Sequence, residues 1–265
     1  MQIGPQTRAL ITGASRGIGR ALAEALARRG ASVGLMARSA GELEELADRL
    51  PGTHHPLVAD TGDREAVEAA VRRFVEVAGG LDLAVANAGV ADYGPFRDMS
   101  PEMVERMTRI NWLGTVYLVA AVLPGMLERS DGHIAIVSSG AGHRSFPDAA
   151  VYGATKGAQR MFGEALRHEL DGTGVSLTMV YPGEIATDLH EHDKETMPDW
   201  YRGGDDAVAP ERLAEKVIEG VERDARSVYH PRLVRVLGAV HGVAPRVSDA
   251  MLRRLRGPTA APRRD

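Results

Sequence analysis

The chain has 265 residues, 44% of them hydrophobic, and its net charge of −4 argues against a nucleic-acid surface covering the whole protein. It contains no cysteine, which excludes disulfide bonds, thiolate catalysis and zinc sites built on cysteine. The first residues lack the apolar segment of a secretory signal. The longest strongly apolar stretch, residues 116–123, is far too short to span a bilayer, so we expect a soluble cytoplasmic protein.

The first predicted strand is the apolar run Ala9-Leu10-Ile11, which is followed by apolar residues at helical spacing as far as Gly30. Between strand and helix lies a glycine-rich turn. Glycines there let backbone N–H groups approach a pyrophosphate at the positive end of a helix. The spacing Gly-x-x-x-Gly-x-Gly departs from Gly-x-Gly-x-x-Gly, and a simple tight connection is the alternative. The predicted phosphate-binding residues are Gly13, Ser15, Arg16, Gly17, Ile18 and Gly19.

Strand and helix patterns alternate along the rest of the chain. Pro124 is expected to kink or end the helix that runs through Asn111. Alternating β and α units predict a single α/β domain with a Rossmann-type, doubly wound parallel sheet of about seven strands and helices on both faces. The other six predicted strands are residues 32–37, 55–59, 81–86, 134–138, 175–181 and 227–230.

Two segments depart from this regularity. Residues 188–209 are polar, rich in turn residues and follow a strand end, which is typical of a mobile flap over a site. Residues 231–265 form a basic, partly helical extension to a catalytic domain over residues 1–230; they hold eight Arg against two Asp, a net charge of +6 that leaves −10 for the rest. A basic amphipathic tail can contact a membrane surface or a partner, but we favour a docking helix with a frayed end.

Polar residues fall where several strands end. In a parallel sheet, ligands bind beyond the carboxyl ends of the strands. Asn87 follows the fourth strand, Ser139 the fifth and Pro182-Gly183 the sixth. These residues are therefore expected to converge near the glycine-rich turn.

Tyr152 and Lys156 lie four residues apart on one face of the helix that follows the fifth strand. A neighbouring ammonium stabilises a phenolate and lowers the pKa of the Tyr hydroxyl. A Ser hydroxyl such as that of Ser139, brought beside the Tyr, can hold a carbonyl oxygen. Taken alone, Tyr-x-x-x-Lys also fits a solvated pair on a helix surface.

Together, these motifs resemble those of the short-chain dehydrogenase/reductase family over about residues 7–230. The resemblance implies that Ser139, Tyr152 and Lys156 are catalytic. It also implies that Asn111, within Arg-Ile-Asn-Trp-Leu-Gly, supports a proton relay through water. Family members often form homodimers or homotetramers through the helices that carry Asn111 and Tyr152, and the same is expected here.

The resemblance further implies cofactor contacts along the carboxyl edge of the sheet. Ala86 replaces the usual first Asn of the element beside the adenosine ribose, and Tyr152 and Lys156 face the nicotinamide ribose. The implied contacts are Asp60 near the adenine, Asn87-Ala88-Gly89 beside the ribose, and Pro182-Gly183-Glu184-Ile185-Ala186-Thr187 at the nicotinamide.

The chemistry that the resemblance implies is hydride transfer between a nicotinamide and a carbonyl carbon. The second strand ends without a carboxylate, and Arg38 there can pair a 2′-phosphate with help from Arg16, so NADP(H) is favoured over NAD(H). We therefore expect NADPH-dependent reduction of a ketone or aldehyde. An oxidising NAD(P)-dependent alcohol or hydroxysteroid dehydrogenase, or a non-catalytic nucleotide sensor, remain alternatives.

Loops after the fourth, fifth and sixth strands are expected to line the substrate pocket. Their aromatic and methionine content favours an apolar carbonyl or alcohol substrate. In His190-Glu-His192-Asp193, a polar flap is the better interpretation, and no metal is expected. The candidate pocket residues are Tyr93, His143, Phe146, Glu184, His190, Met197, Trp200 and Tyr201.

Overall fold

A computed structural model of the chain describes residues 1–186 and 207–256. Every run predicted as a strand forms one, with bounds shifted by at most two residues. The strands are β1 (Arg8–Thr12), β2 (Ser32–Ala37), β3 (His54–Val58), β4 (Leu83–Ala86), β5 (Gly132–Val137), β6 (Val175–Pro182) and β7 (Ser227–His230).

Helices cover the connections between these strands and form the C-terminal end of the described chain. Ser100 caps the fourth helix, as its position before Pro101 predicts: its hydroxyl accepts a hydrogen bond from the Met103 N–H at 3.3 Å. The helices are α1 (Gly17–Arg28), α2 (Ala40–Arg49), α3 (Arg64–Ala78), α4 (Pro101–Met107), α5 (Gly114–Arg129), α6 (Ala150–Glu169), α7 (Pro210–Glu222), α8 (Leu233–Val243) and α9 (Pro245–Arg256).

The seven strands form one parallel sheet in the order β3-β2-β1-β4-β5-β6-β7. The inner strand β1 pairs Ile11 with Leu35 of β2 on one side and with Val85 of β4 on the other. The strand order therefore reverses between β1 and β4, and a crevice opens at this point beyond their carboxyl ends. The predicted doubly wound sheet of about seven strands is confirmed.

Apolar side chains fill both sides of the sheet. On one side, α1, α2 and α7 bury residues such as Leu26, Leu43 and Val217 against the strands. On the other side, α3, α5 and α6 bury residues such as Phe74 and Leu118. Strands covered on both faces are almost wholly apolar, which explains why the sequence shows continuous rather than alternating runs.

A helical stretch from Pro101 to Arg129 joins α4 to α5 through a π-helical segment, Thr108–Leu113. Pro124 was expected to kink or end this helix, but the helix continues through it to Arg129. Burial of Leu118 and Val122 against α3 and the sheet offsets the hydrogen bond that the proline cannot make. By length and mean hydropathy alone this stretch could cross a bilayer; here it packs as a core helix of the sheet.

Candidate active site

A cleft of about 400 Å³ lies beyond the carboxyl ends of the strands, where the strand order reverses. It brings together residues that are up to 172 positions apart in the chain, from Gly13 to Ile185. Of the predicted site residues, sixteen line it: Gly13, Ser15, Arg16, Gly17, Ile18, Arg38, Asp60, Asn87, Ala88, Gly89, Ser139, Tyr152, Lys156, Pro182, Gly183 and Ile185. Gly19 and Asn111 lie outside this lining, and Thr187 lies outside the described residues.

The glycine-rich turn joins β1 to α1, and two of its glycines, Gly13 and Gly17, have positive φ angles. Gly19 is buried beneath the turn: a Cβ atom at this position would lie 2.1 Å from the Gly13 carbonyl oxygen. Glycine here therefore allows the helix to approach the turn, and the N-terminus of α1 points its free N–H groups toward the cleft.

Asn87 supports the turn through its side chain. Its Nδ2 donates to the carbonyl oxygens of Thr12 at 2.9 Å and Gly13 at 3.2 Å. The Thr12 hydroxyl in turn accepts the backbone N–H groups of Asn87 and Ala88, each at 3.0 Å. Asn87 thus fixes the position of the turn, while Ala88 and Gly89 line the cleft beside it.

One end of the cleft carries exposed charges. Arg16 from the glycine-rich turn and Arg38 after β2 both line it. Glu42, from the first turns of α2, lines the same end and was not among the predicted site residues. Asp60 lies there too and turns the chain, since its Oδ1 accepts the Gly62 N–H at 2.8 Å. This end can bind an anion through two guanidinium groups, and Glu42 opposes that attraction.

Ser139 follows β5 and starts the 3₁₀ turn at 140–142. Its backbone is extended, and its hydroxyl oxygen accepts the Ala141 N–H at 3.1 Å. Ser139 lies close enough to Tyr152, across the gap between β5 and α6, for its hydroxyl to lower the pKa of the Tyr152 hydroxyl. The two hydroxyl groups therefore lie near each other at the cleft.

Lys156 is buried one helical turn beyond Tyr152. Its Nζ donates to the carbonyl oxygen of Val137 at 3.0 Å and lies 5.9 Å from the centroid of the Tyr152 ring. Burial lowers the pKa of Lys156 to about 8. The ammonium is thus held by the end of β5 and its charge is destabilised by the surrounding protein.

The pKa of Tyr152 moves opposite to the expected direction. Burial raises it, and the hydrogen bond with Ser139 lowers it by less. The expectation of a pKa lowered by Lys156 took account of the neighbouring charge but not of desolvation, which penalises a phenolate in this apolar surrounding. Tyr152 therefore keeps its proton over the neutral range and is arranged as a proton donor.

Asn111 is fully buried in the π-helical segment and does not reach the cleft wall. Its side chain accepts the Val90 N–H at 2.8 Å and donates to the Val90 carbonyl oxygen at 2.9 Å. The π-helical segment frees the Asn111 carbonyl oxygen, which instead accepts Gln159 Nε2 and the Thr115 hydroxyl, each at 2.9 Å. Gln159, three residues after Lys156, thus joins this segment to α6, and no motif in the sequence indicates this contact.

A small gap beside Gly89 separates Asn111 from Lys156. A Cβ atom on Gly89 would lie 3.4 Å from Asn111 Oδ1 and 3.5 Å from Lys156 Nζ. Glycine therefore leaves room next to both polar atoms. Oδ1 has a second lone pair and Nζ has further protons, so each can form another hydrogen bond there.

Aromatic residues gather on the far side of Tyr152. The Tyr93 ring meets the Tyr152 ring edge-on at 5.7 Å and stacks on Phe146 at 5.9 Å. The loops that carry them are joined by the Gly94 N–H, which donates to the Asp148 carbonyl oxygen at 2.8 Å. Of the predicted pocket residues, Tyr93 thus packs on the Tyr152 ring and Phe146 packs on Tyr93, and neither is among the residues that line the cleft.

The remaining predicted pocket residues have different positions. His143 packs on Tyr181 at 4.2 Å and on Tyr229 at 5.5 Å, away from the Tyr93 cluster. The Glu184 carbonyl oxygen accepts the Val208 N–H at 3.1 Å, and most of the predicted flap, residues 188–206, lies outside the described residues. His190, Met197, Trp200 and Tyr201 lie outside the described residues. So does the segment with His190 and His192; the described ranges contain no cluster of three metal-ligating side chains.

The C-terminal helix α8 contacts two of the loops that form the site. Its only buried side chain in the described chain, Val234, is in close contact with both Gly140 and Gly183. One turn later, Gly238 lies against His143, where a Cβ atom would approach the His143 Cβ to 3.1 Å. Arg144 also forms an ion pair with Asp249 of α9 at 2.8 Å.

These contacts were not predicted, because helical periodicity shows only that α8 has an apolar face.

The cleft lining also includes residues adjacent to the predicted positions, whose placement at strand ends was the available signal. They are Ala37, Ser39, Thr61, Val90, Ile110, Val137 and Ser138.

Comparison with known proteins identifies the family. A family model described as short chain dehydrogenase matches residues 7–198. The chain is 37% identical over 252 residues to an uncharacterized oxidoreductase of Myxococcus xanthus (strain DK1622), covering 94% of this chain and 97% of that protein.

Two solved structures have a similar fold. A short-chain dehydrogenase from Sphingobium yanoikuyae in complex with NADPH has a TM-score of 0.77 at 27% identity, over 98% of this chain and 99% of that one. A short-chain dehydrogenase/reductase from Burkholderia phymatum in complex with NAD has a TM-score of 0.85 over the same shares. At 22% identity, this second likeness concerns the fold alone. With the match to the family model, the chain belongs to the short-chain dehydrogenase family and is an oxidoreductase.

Proposed function

We propose that this short-chain oxidoreductase reduces a ketone or an aldehyde to an alcohol with NADPH. The observation that carries the proposal is the meeting of Ser139, Tyr152 and Lys156 at a cleft that the glycine-rich turn also lines. A proton donor and a hydroxyl donor there adjoin a site suited to a dinucleotide. A sensor that only binds nucleotide would need no such pair of hydroxyl groups.

The residues present fit a nicotinamide dinucleotide. The turn offers the free N–H groups of α1 to a pyrophosphate, and its glycines keep the backbone clear of side chains. The cleft continues from the cations at one end, past Gly89, to Tyr152 and Lys156 at the other. When bound, the cofactor supplies the hydride.

The protein groups position the carbonyl and deliver a proton. The Ser139 hydroxyl donates to the carbonyl oxygen and holds it beside Tyr152. Tyr152, which burial keeps protonated, donates its proton to that oxygen as negative charge develops on it. Lys156 brings a positive charge near the phenolate that remains and can hold ribose hydroxyl groups with its other N–H bonds.

A route for returning the proton runs through the gap beside Gly89. A water molecule at this gap could bond to both Asn111 Oδ1 and Lys156 Nζ. Asn111 is held in place by its two bonds to Val90, so its free lone pair has a fixed direction. We infer that Asn111 acts in this relay and not by contact with the substrate.

The preference for NADPH rests on charge. Arg16 and Arg38 are exposed at the end of the cleft where an adenosine ribose would lie, and no carboxylate ends β2. Glu42 weakens this positive field, so we expect a moderate preference. A relative in complex with NADPH and a similar fold in complex with NAD are both known.

The substrate is proposed to be apolar, and the active form a homo-oligomer. Tyr93 packs against the Tyr152 ring and Phe146 stacks on Tyr93, so the loops next to the catalytic tyrosine are apolar. Along α5 and α6, Leu127 and Met161 are exposed, and Trp112 packs on Phe162 at 5.4 Å near the surface. This apolar face suits a second copy of the chain.

Replacing Tyr152 by Phe tests the proposal. The Tyr152→Phe change removes only the hydroxyl, so reduction of a panel of apolar ketones and aldehydes should fall by at least about 10²-fold. The dissociation constant for NADPH should stay within about twofold. Tyr117→Phe is the matched control, because Tyr117 is half-buried on α5 and lies away from the cleft. A Tyr152→Phe enzyme with unchanged turnover would refute the mechanism.

A further inference from the structure

The outward face of the C-terminal hairpin, α8 and α9, has an unusual composition. In the described residues, eleven large apolar side chains are exposed, and five lie within fifteen positions of this hairpin. They are Leu233, Val236, Leu237, Val243 and Val247. Such a concentration is not the scattered exposure of single apolar residues that a protein surface normally shows.

The two faces of α8 have different roles. Val234 and Gly238 point inward, toward the loops after β5 and β6. Leu233 and Leu237, one turn apart and 58% and 46% exposed, point outward with Val236 and Val243. The inward contacts hold α8 against the rest of the protein, so the outward apolar stripe is not needed for this packing.

Cations flank this apolar stripe. Arg232, Arg235, Arg246 and Arg254 are exposed, and none of them forms an ion pair within the described residues. Residues 231–256 hold six Arg and one acidic residue, Asp249, a net charge of +5 on a protein whose total charge is −4. Asp249 is already paired with Arg144. The face therefore combines apolar side chains with uncompensated positive charge.

We propose that this face docks on an anionic lipid surface. An amphipathic helix of this kind buries its apolar stripe at the boundary between headgroups and acyl chains. Its arginines then lie at the level of the lipid phosphates, where each adds to the attraction. The sequence favours a docking helix over membrane contact. In the structure, one face of α8 packs on the protein, and the opposite face is exposed and free to contact lipid.

A second copy of the chain fits this face less well. A symmetric contact would bring together two segments that each have a net charge of +5, and their repulsion would oppose association. The other exposed apolar face, on α5 and α6, has less charge, because these helices together hold four Lys or Arg and three Glu. That face is the better site for self-association.

Co-sedimentation of the full-length protein with vesicles tests the proposal. Vesicles with about 30 mol% phosphatidylglycerol should bind the protein at least about tenfold more strongly than pure phosphatidylcholine. Raising the salt concentration to about 0.5 M should remove most of this difference, since it shortens the Debye length. Equal binding to both vesicles, or binding to neither, would overturn the proposal.

Two variants separate the parts of the face. Leu233→Ser with Leu237→Ser removes the centre of the stripe, and Arg232→Gln with Arg235→Gln removes cations; each pair should weaken vesicle binding about tenfold. Val58→Ser is the control, since Val58 is 60% exposed on β3, far from the hairpin in the sheet order. The variants alter exposed side chains, and thermal unfolding should confirm that they fold.

Sedimentation velocity distinguishes the competing occupant. The wild type and the leucine variant should have the same mass in solution without lipid. A smaller mass for the leucine variant would show that a second copy covers the face and would overturn the proposal. Loss of vesicle binding in Val58→Ser would also contradict it, because binding would then not depend on the hairpin.

Discussion

Replacing Arg38 by Gln should weaken NADPH binding and leave NADH binding unchanged. Arg38 lines the cleft after β2, where only the 2′-phosphate distinguishes the two cofactors. The two ligands are otherwise alike, so NADH is an internal control for damage to the fold or to the glycine-rich turn.

The magnitude follows from the exposure of the side chain. A hydrogen bond to a charged group contributes about 1.5–3 kcal/mol, and solvent screening at this exposed position favours the lower value. A loss of about 1.5 kcal/mol corresponds to a roughly tenfold higher dissociation constant for NADPH. Glu42→Gln should act in the opposite direction, lowering that constant about twofold by removing a like charge from the bound phosphate.

Equilibrium titrations that follow nicotinamide fluorescence, at one ionic strength, measure these constants. Arg49→Gln is the matched control: Arg49 is exposed on α2, next to Glu45 and outside the cleft lining. If Arg38→Gln weakens the binding of NADPH and NADH equally, Arg38 supports the fold. Unchanged NADPH binding would mean that no phosphate clamp forms, and the search for activity would move to NAD-dependent oxidation.

Three further predictions test the catalytic geometry. The kcat/KM for reduction should fall as pH rises above about 8, because Lys156 loses its proton there while Tyr152, whose pKa is raised, keeps its own. A pH profile that stays flat to about pH 10 would contradict a role for the Lys156 charge. Gly89→Ala should lower kcat about tenfold with little change in melting temperature, since the new Cβ fills the gap between Asn111 Oδ1 and Lys156 Nζ at ordinary contact distances. Single-turnover kinetics measure the rate of reduction, and an unchanged rate would mean that no water in this gap takes part in the proton relay. Val234→Ala should lower the free energy of unfolding by about 2 kcal/mol and lower kcat several-fold, whereas Val236→Ala on the exposed face should change neither. If the two variants behave alike in urea unfolding and in turnover, α8 does not support the site.

The sequence determined the architecture of this protein through short-range patterns. Continuous apolar runs marked the inner strands such as β1 and β5, because strands covered on both faces have little place for polar residues. The edge strands β3 and β7 are less buried and include His and Ser. The same patterns placed Ser139, Asn87 and the glycine-rich turn at strand ends, and parallel pairing then carried them to one edge of the sheet. Tyr152 and Lys156 lie on the same side of α6 because residues four apart in a helix share one face.

Tertiary structure alone decided how these residues are used. Burial, which depends on every neighbouring segment, reversed the expected direction of the Tyr152 pKa and lowered the pKa of Lys156. Packing let α5 continue through Pro124. The contact of Val234 with Gly140 and Gly183 joins segments 94 and 51 residues apart, and no local period in the sequence encodes such a distance. Local pattern thus specified the elements and their ends, while solvation and long-range contact set the chemistry between them.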